Sequence, residues 1–126
     1  MQSDSDYAES MAAIVTAVET SSPGIAAAYA TIDRSGTSRY LRLIVSVSGE
    51  QVTAEVGKAA LTAVYPLFPA DLDRIKLTFS TEGSDAALVI ETAMRDLGFP
   101  AEDVISDGRV ALVERPWLEG FAGSGR

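Results

Sequence analysis

In Arg39-Tyr40-Leu41-Arg42-Leu43-Ile44-Val45-Ser46-Val47-Ser48 every second residue from Leu41 to Val47 is a branched aliphatic one. Leu41, Leu43, Val45 and Val47 fall on one side of an extended chain, and Tyr40, Arg42, Ile44, Ser46 and Ser48 fall on the other. The alternation predicts a strand over 39–48 with one face in a core. Everything else in the chain is placed relative to that face.

Immediately upstream, residues 25–33 lie between Pro23-Gly24 and Arg34-Ser35-Gly36. Alanine propensity would allow a helix here, but so short a run framed by breakers predicts a strand. Asp33-Arg34-Ser35-Gly36 suits a hairpin loop with glycine at a left-handed position, which makes the two strands antiparallel neighbours. Further upstream, Tyr7, Met11, Ile14, Val15 and Val18 recur at helical spacing. They predict a helix over about residues 5–20, with Asp4 or Ser5 as N-cap and Asp6 and Glu9 near its positive end. Ser21-Ser22-Pro23-Gly24 ends it.

Downstream of Gly49 the apolar period becomes that of a helix. Val52, Val56, Ala59, Ala60, Ala63 and Val64 form a stripe over residues 52–65, stopped by Pro66 and Pro69. Gly57 within it implies close packing against the sheet. Ile75, Leu77 and Phe79 then alternate with Lys76, Thr78 and Ser80 as a third strand, and a helical crossover sets it parallel to the second. Ser84 is expected to cap a further helix carrying Leu88, Ile90, Met94 and Leu97, with Glu91 and Arg95 one turn apart and Gly98 past its end. A last strand is predicted over Arg109 to Glu114, followed by a tail from Arg115 to Arg126. The result is one α+β domain, core about residues 5–114, in the order α-β-β-α-β-α-β. Its mixed sheet combines an antiparallel hairpin with a parallel crossover, and helices cover it.

The 126 residues are 47% hydrophobic and 22% charged, the balance of an ordinary globular domain. Eighteen acidic residues against ten basic ones give a net charge of −8. Such a balance repels phosphate backbones and anionic membrane surfaces, so neither nucleic acid nor a membrane is an expected partner. Histidine, cysteine and asparagine are all missing from the sequence. That removes disulfides, thiol nucleophiles, imidazole bases and ligands, and N-glycosylation. No apolar run reaches the ~20 residues of a membrane span, and the first six residues lack the basic and apolar regions of a secretion signal. A soluble, cytoplasmic protein is expected; the alternative is an exported or lipid-anchored one whose signal segment is not in this sequence.

Three phrases, PGIAAAYATIDRSG (23–36), RYLRLIVSVSGE (39–50) and LFPADLDRIKL (67–77), carry a resemblance. With the alanine-rich helix between the last two, the run from Pro23 to Phe79 resembles the C-terminal domain of the enhanced-serine-sensitivity protein family. The match covers under half of the chain and departs after Gly98, where this sequence adds a loop, a strand and Pro116-Trp117-Leu118. The resemblance brings no catalytic residue and implies a non-enzymatic accessory domain. The first phrase is also similar to roadblock-type domains, whose downstream helix and strand order differs.

Few groups suggest chemistry. Asp71 and Asp73, and separately Glu102, Asp103 and Asp107, are loop carboxylates of the kind that bind hard cations, but their spacing fits no calcium loop. Turn formation and solvation account for them better. Thr81 to Asp85 joins a strand to an expected helix start, where an anion can sit, but Glu82 and Asp85 would repel it. Serine has no G-x-S-x-G elbow and no histidine to activate it, and the two lysines, Lys58 and Lys76, are expected on solvent-facing surfaces. Tyr29 and Tyr40 are either hydrogen-bond donors in a pocket or packing residues with a wet tip. No cofactor and no metal is expected.

Two groups remain as partner-binding candidates. Arg34, Arg39 and Arg42 gather with Tyr40 around the hairpin, as a local sign reversal suited to an acidic partner or as charges that blunt a sheet edge. Trp117, Leu118 and Phe121 place large apolar groups on the tail, where they either pack back as a clasp or meet a partner. The expected function is therefore a non-catalytic accessory or protein-interaction domain that binds another protein or itself, a homodimer included. The alternatives are a small-molecule-binding domain and an acidic immunity or inhibitor-type protein that neutralises a basic enzyme.

Overall fold

The computed structural model describes residues 4–36, 38–84 and 86–123. The side chains of Asp4, Ser5 and Asp6, expected at the first helix start, lie outside what is described, as do Asp85 and the end of the chain from Ser124. The elements run α1 (Asp4–Glu19), β1 (Ile25–Ser35), β2 (Ser38–Val47), α2 (Ala54–Val64), β3 (Arg74–Thr81), α3 (Glu91–Asp96), β4 (Val104–Ile105), β5 (Val110–Glu114) and α4 (Arg115–Gly123). They form an α+β unit with one mixed sheet of order β1-β2-β3-β5-β4.

The predicted antiparallel hairpin of β1 and β2 forms with Gly36 at φ +62° in the turn, but β1 runs on through Ser35, so Asp33, Arg34 and Ser35 of the expected loop are paired strand residues instead. Helix α2 then carries the chain across, and β3 pairs parallel with β2, setting Leu43 beside Leu77 and Val45 beside Phe79. Strand β5 joins antiparallel on the other side of β3. Because side chains alternate, Ala30, Leu41, Leu43, Val45, Ile75, Leu77, Phe79, Ala111 and Val113 share one face, and all are buried. The same core holds Tyr7, Met11, Ile14 and Val18 of α1, Ala60, Leu61 and Val64 of α2, and Leu118 of α4. Helices therefore cover one face of the sheet. Tyr29, Thr31, Arg42, Ile44, Lys76, Thr78 and Leu112 stand on the other, exposed or half-exposed.

Thr53 caps α2 by accepting the Val56 amide at 3.2 Å. Its buried line is Gly57, Ala60, Leu61 and Val64, whereas Val52, Val56, Ala59 and Ala63 of the expected stripe are only half-buried. Gly57 is indeed at a close approach, but to Leu97 rather than to the sheet: a Cβ there would lie 3.4 Å from Leu97 Cδ1.

Two further expectations need correction. The helix expected from Ser84 begins only at Glu91 and has six residues. Before it, the chain runs back along the end of β3, with Ala87 bridged to Ser80, the Leu88 amide donating to the Phe79 carbonyl at 2.8 Å and the Ile90 amide to the Gly108 carbonyl at 2.7 Å. Those bonds replace helical ones, and the adjacent β-branched Val89 and Ile90 favour the extended form. Ser84 accepts the Ala86 amide at 3.1 Å, a local turn rather than a helix cap. Gly98 does follow the helix end, at φ +81°.

The segment from Arg115 is also not a tail but α4. Pro116 stands in its first turn, where the missing amide hydrogen costs nothing and the fixed φ helps. Gly120 and Gly123 weaken its intrinsic propensity, so packing holds it. Trp117 lies edge-on to Phe99, with centroids 4.9 Å apart, and stacks on Phe121 at 4.8 Å. Arg115 ties the helix start to the turn before β3. Its Nε donates to the Leu72 carbonyl at 3.0 Å, its Nη2 donates to the carbonyls of Pro69 and Leu72, and its guanidinium lies 4.2 Å over the Phe68 ring. The predicted last strand is β5, and β4, a two-residue strand absent from the sequence reading, pairs with it; between them Ser106, Asp107 and Gly108 all take positive φ.

Removing the Phe79 ring is expected to destabilise the domain by about 3–5 kcal/mol, whereas Ile105→Ala at the exposed edge should change stability by less than about 0.5 kcal/mol. Urea unfolding of both variants checks this. Arg115→Met should cost about 2 kcal/mol, because it strips donors from two carbonyls in a partly buried turn. Arg115→Lys should recover only part of that loss in thermal unfolding, since one ammonium cannot reproduce the fork.

Candidate interaction surface

The sheet ends on one side at β1, and among the described residues no strand pairs with the outer side of β1. In an antiparallel pair each residue sends its N–H and C=O to the same side, and the side alternates along the strand. The Ala28 amide donates to the Glu19 carboxylate at 3.0 Å, away from β2, so Ala28, Ala30 and Ile32 direct their backbone groups outward. From Ile25 to Ile32 this edge carries no charged side chain. Beside it runs α1, and between them lies a groove of about 350 Å³ lined by Tyr7, Ala8, Met11, Thr31, Ile32 and Arg34.

The hairpin end of the groove is basic. Arg34 lines it, and the Arg39 guanidinium sits 5.6 Å above the Tyr7 ring. Arg42 and Tyr40 lie on β2, one strand inward, and both reach Asp33: Arg42 at 3.3 Å and the Tyr40 hydroxyl at 3.5 Å. The arginines thus do not blunt the length of the edge strand, since only Arg34 belongs to β1. Strands β1 to β3 hold five basic residues, Arg34, Arg39, Arg42, Arg74 and Lys76, against the single acidic Asp33, in a chain whose net charge is −8.

Tyr7 forms the floor of this end. Its ring is buried and its hydroxyl donates a hydrogen bond to Asp71. That bond, with burial and the nearby Asp71 charge, raises the phenol above its ordinary value, and Arg39 and Arg34 pull in the opposite direction. Asp71, one of the loop carboxylates, thus ties the start of α1 to the loop before β3.

The tail candidates are placed otherwise. Leu118 is fully buried in the core, and Trp117 and Phe121 are half-buried against Phe99 and each other. Of the two readings of these residues, the clasp is the one observed, and Leu118 offers nothing to a partner. Tyr29, by contrast, stands 58% exposed on the uncovered sheet face next to the edge. Its place was set by strand order, which local alternation does not encode. Lys58 is exposed on α2 and Lys76 half-buried on the uncovered face. Among the described residues no three acidic side chains converge in a way that could hold a metal ion, and no helix is long and apolar enough to cross a membrane.

Tyr7→Phe should cost about 1 kcal/mol at neutral pH by urea unfolding. A phenol raised on folding contributes in full below about pH 10, its unfolded value, and loses that contribution as pH rises through the higher folded value. The stability difference between the two proteins should therefore shrink in strongly alkaline buffer and stay constant from neutral pH up to that point.

No family model, no curated protein and no solved structure matches this chain.

Proposed function

We propose that this chain is a non-catalytic interaction domain that engages another polypeptide along the outer edge of β1, at the groove beside α1. The observation that carries this is the combination of an uncharged run from Ile25 to Ile32, outward-directed backbone groups and an adjacent groove. A long uncharged edge is the template on which a further strand adds, with main-chain bonds giving affinity and flanking side chains giving selectivity. The basic hairpin end supplies that selectivity through Arg34 and Arg39. The resemblance of residues 23–79 to the enhanced-serine-sensitivity C-terminal domain points the same way, toward an accessory role. A small-molecule site has less in its favour, because the groove is open to solvent along one side, which leaves part of a small ligand's surface in water.

Ala8→Trp fills the groove from the helix surface without touching the core. In affinity capture with tagged protein, recovered partner should fall at least roughly tenfold in this variant and in Arg34→Glu. The remote exposed substitution Glu82→Lys should leave recovery intact, and circular dichroism should show all three folded. Equal recovery by the wild type and Ala8→Trp defeats the reading.

A further inference from the structure

The β1 edge is polarised. At its hairpin end stands Arg34, and toward its other end the Glu19 carboxylate holds the Ala28 amide. An antiparallel two-fold copy of the same edge reverses that order, so each basic end meets an acidic one. Resting on the interaction reading above, we propose that the occupant of the edge is a second copy of this chain, paired β1 to β1 into a continuous sheet.

The outward residues are Ala28, Ala30, Ile32 and, by the same alternation, Arg34. Only pairs drawn from this set can exchange backbone bonds across the two-fold. The register that sets Arg34 opposite Ala28 of the second copy also sets Ala30 opposite Ile32. The Ala28 amide then donates to the Arg34 carbonyl of the second copy in place of the Glu19 carboxylate, and the released carboxylate is beside that same Arg34 guanidinium. The Ala28 amide has an acceptor in either state, and the pairing of Glu19 with the second copy's Arg34 forms only in the dimer. On the uncovered sheet face the same register brings Tyr29, 58% exposed, opposite Asp33 of the second copy, an acceptor for its hydroxyl. Thr31 falls on the two-fold itself, opposite its own symmetry mate.

The helix layer admits this arrangement. Ala8 lines the groove and Glu19 reaches the edge, so helical spacing puts Ala8, Ala12, Val15 and Glu19 on the side of α1 next to the second copy. Ala8 and Ala12 are small and exposed, and let two such helices approach without a charge between them.

Sedimentation across the micromolar range should show a dimer. Glu19→Arg and Arg34→Glu should each weaken it about tenfold, and the double reversal should restore most of the affinity, which a general folding defect would not do. The chain has no cysteine, so Thr31→Cys adds a single thiol at a non-hydrogen-bonded pair, where Cα atoms approach to about 4.5 Å and a disulfide fits. Under oxidised glutathione it should cross-link into a dimer, and Thr78→Cys, farther into the same uncovered face, should not. Monomer at every concentration overturns the proposal, and so does a dimer that Thr31→Cys fails to cross-link or that both charge reversals leave untouched. If the chain is monomeric but Ala8→Trp still abolishes capture of a different polypeptide, the second copy is wrong and the interaction edge stands. If capture is unaffected as well, both fall.

Discussion

The parallel pairing of β2 with β3 is the contact on which the rest of the molecule rests. It stacks Leu41, Leu43 and Val45 against Ile75, Leu77 and Phe79, all without solvent exposure, at the centre of a five-stranded sheet. Two parallel neighbours need a crossover, and α2 supplies it on the apolar side of both strands. Once that side is taken by α2, α1 and α4 can bury their own apolar stripes only by joining it there. Their buried residues belong to one cluster with the strand residues. One-sided coverage follows from a single alternation of apolar side chains.

That asymmetry decides what the surface can do. The side chains of the uncovered face, Thr31, Arg42, Ile44, Lys76 and Thr78, mix polar and apolar groups and tolerate water. The edge is different. A sheet margin is protected by brevity, by charged side chains or by a covering element, and β1 has eleven residues, uncharged from Ile25 to Ile32, where β4 at the opposite margin has two. Glu19 occupies one outward amide, which leaves the edge managed by a displaceable side chain rather than by a covering element. Charge follows the same division: the first three strands are basic, while most of the acidic residues lie on helices and loops.

The second half of the chain is held by long-range polar contacts that no local pattern announces. Arg115 binds carbonyls from Pro69 and Leu72, more than forty positions earlier in the chain, and Tyr7 reaches Asp71 from the other end of the sequence. Both converge on the short connection before β3. The turn at Pro69 to Asp73 is therefore clamped from both termini, which holds α1 and α4 at the same end of the helix layer. Leu118 completes that layer, and the stacked Trp117 and Phe121 cover Phe99.

Strict alternation at 39–48 and 75–79, and breakers around 23–24 and 33–36, were enough to predict the hairpin, the crossover and the buried face from the residues alone, because alternation and turn chemistry are local properties. The stretch from Ser84 to Ile90 reads locally as helix for the same reason in reverse. Its propensity was overruled by amide bonds to Phe79 and Gly108, partners distant in sequence. Trp117, Leu118 and Phe121 could be recognised as groups needing cover, but only packing decided that α4 would bury Leu118. Arg34, Arg39 and Arg42 could be seen to cluster, yet strand order alone put Arg34 on the outer strand and the other two one strand inward. Sequence determined which faces are apolar; tertiary structure decided which edge stays open, since strand order depends on contacts between segments and not on the pattern within any one of them.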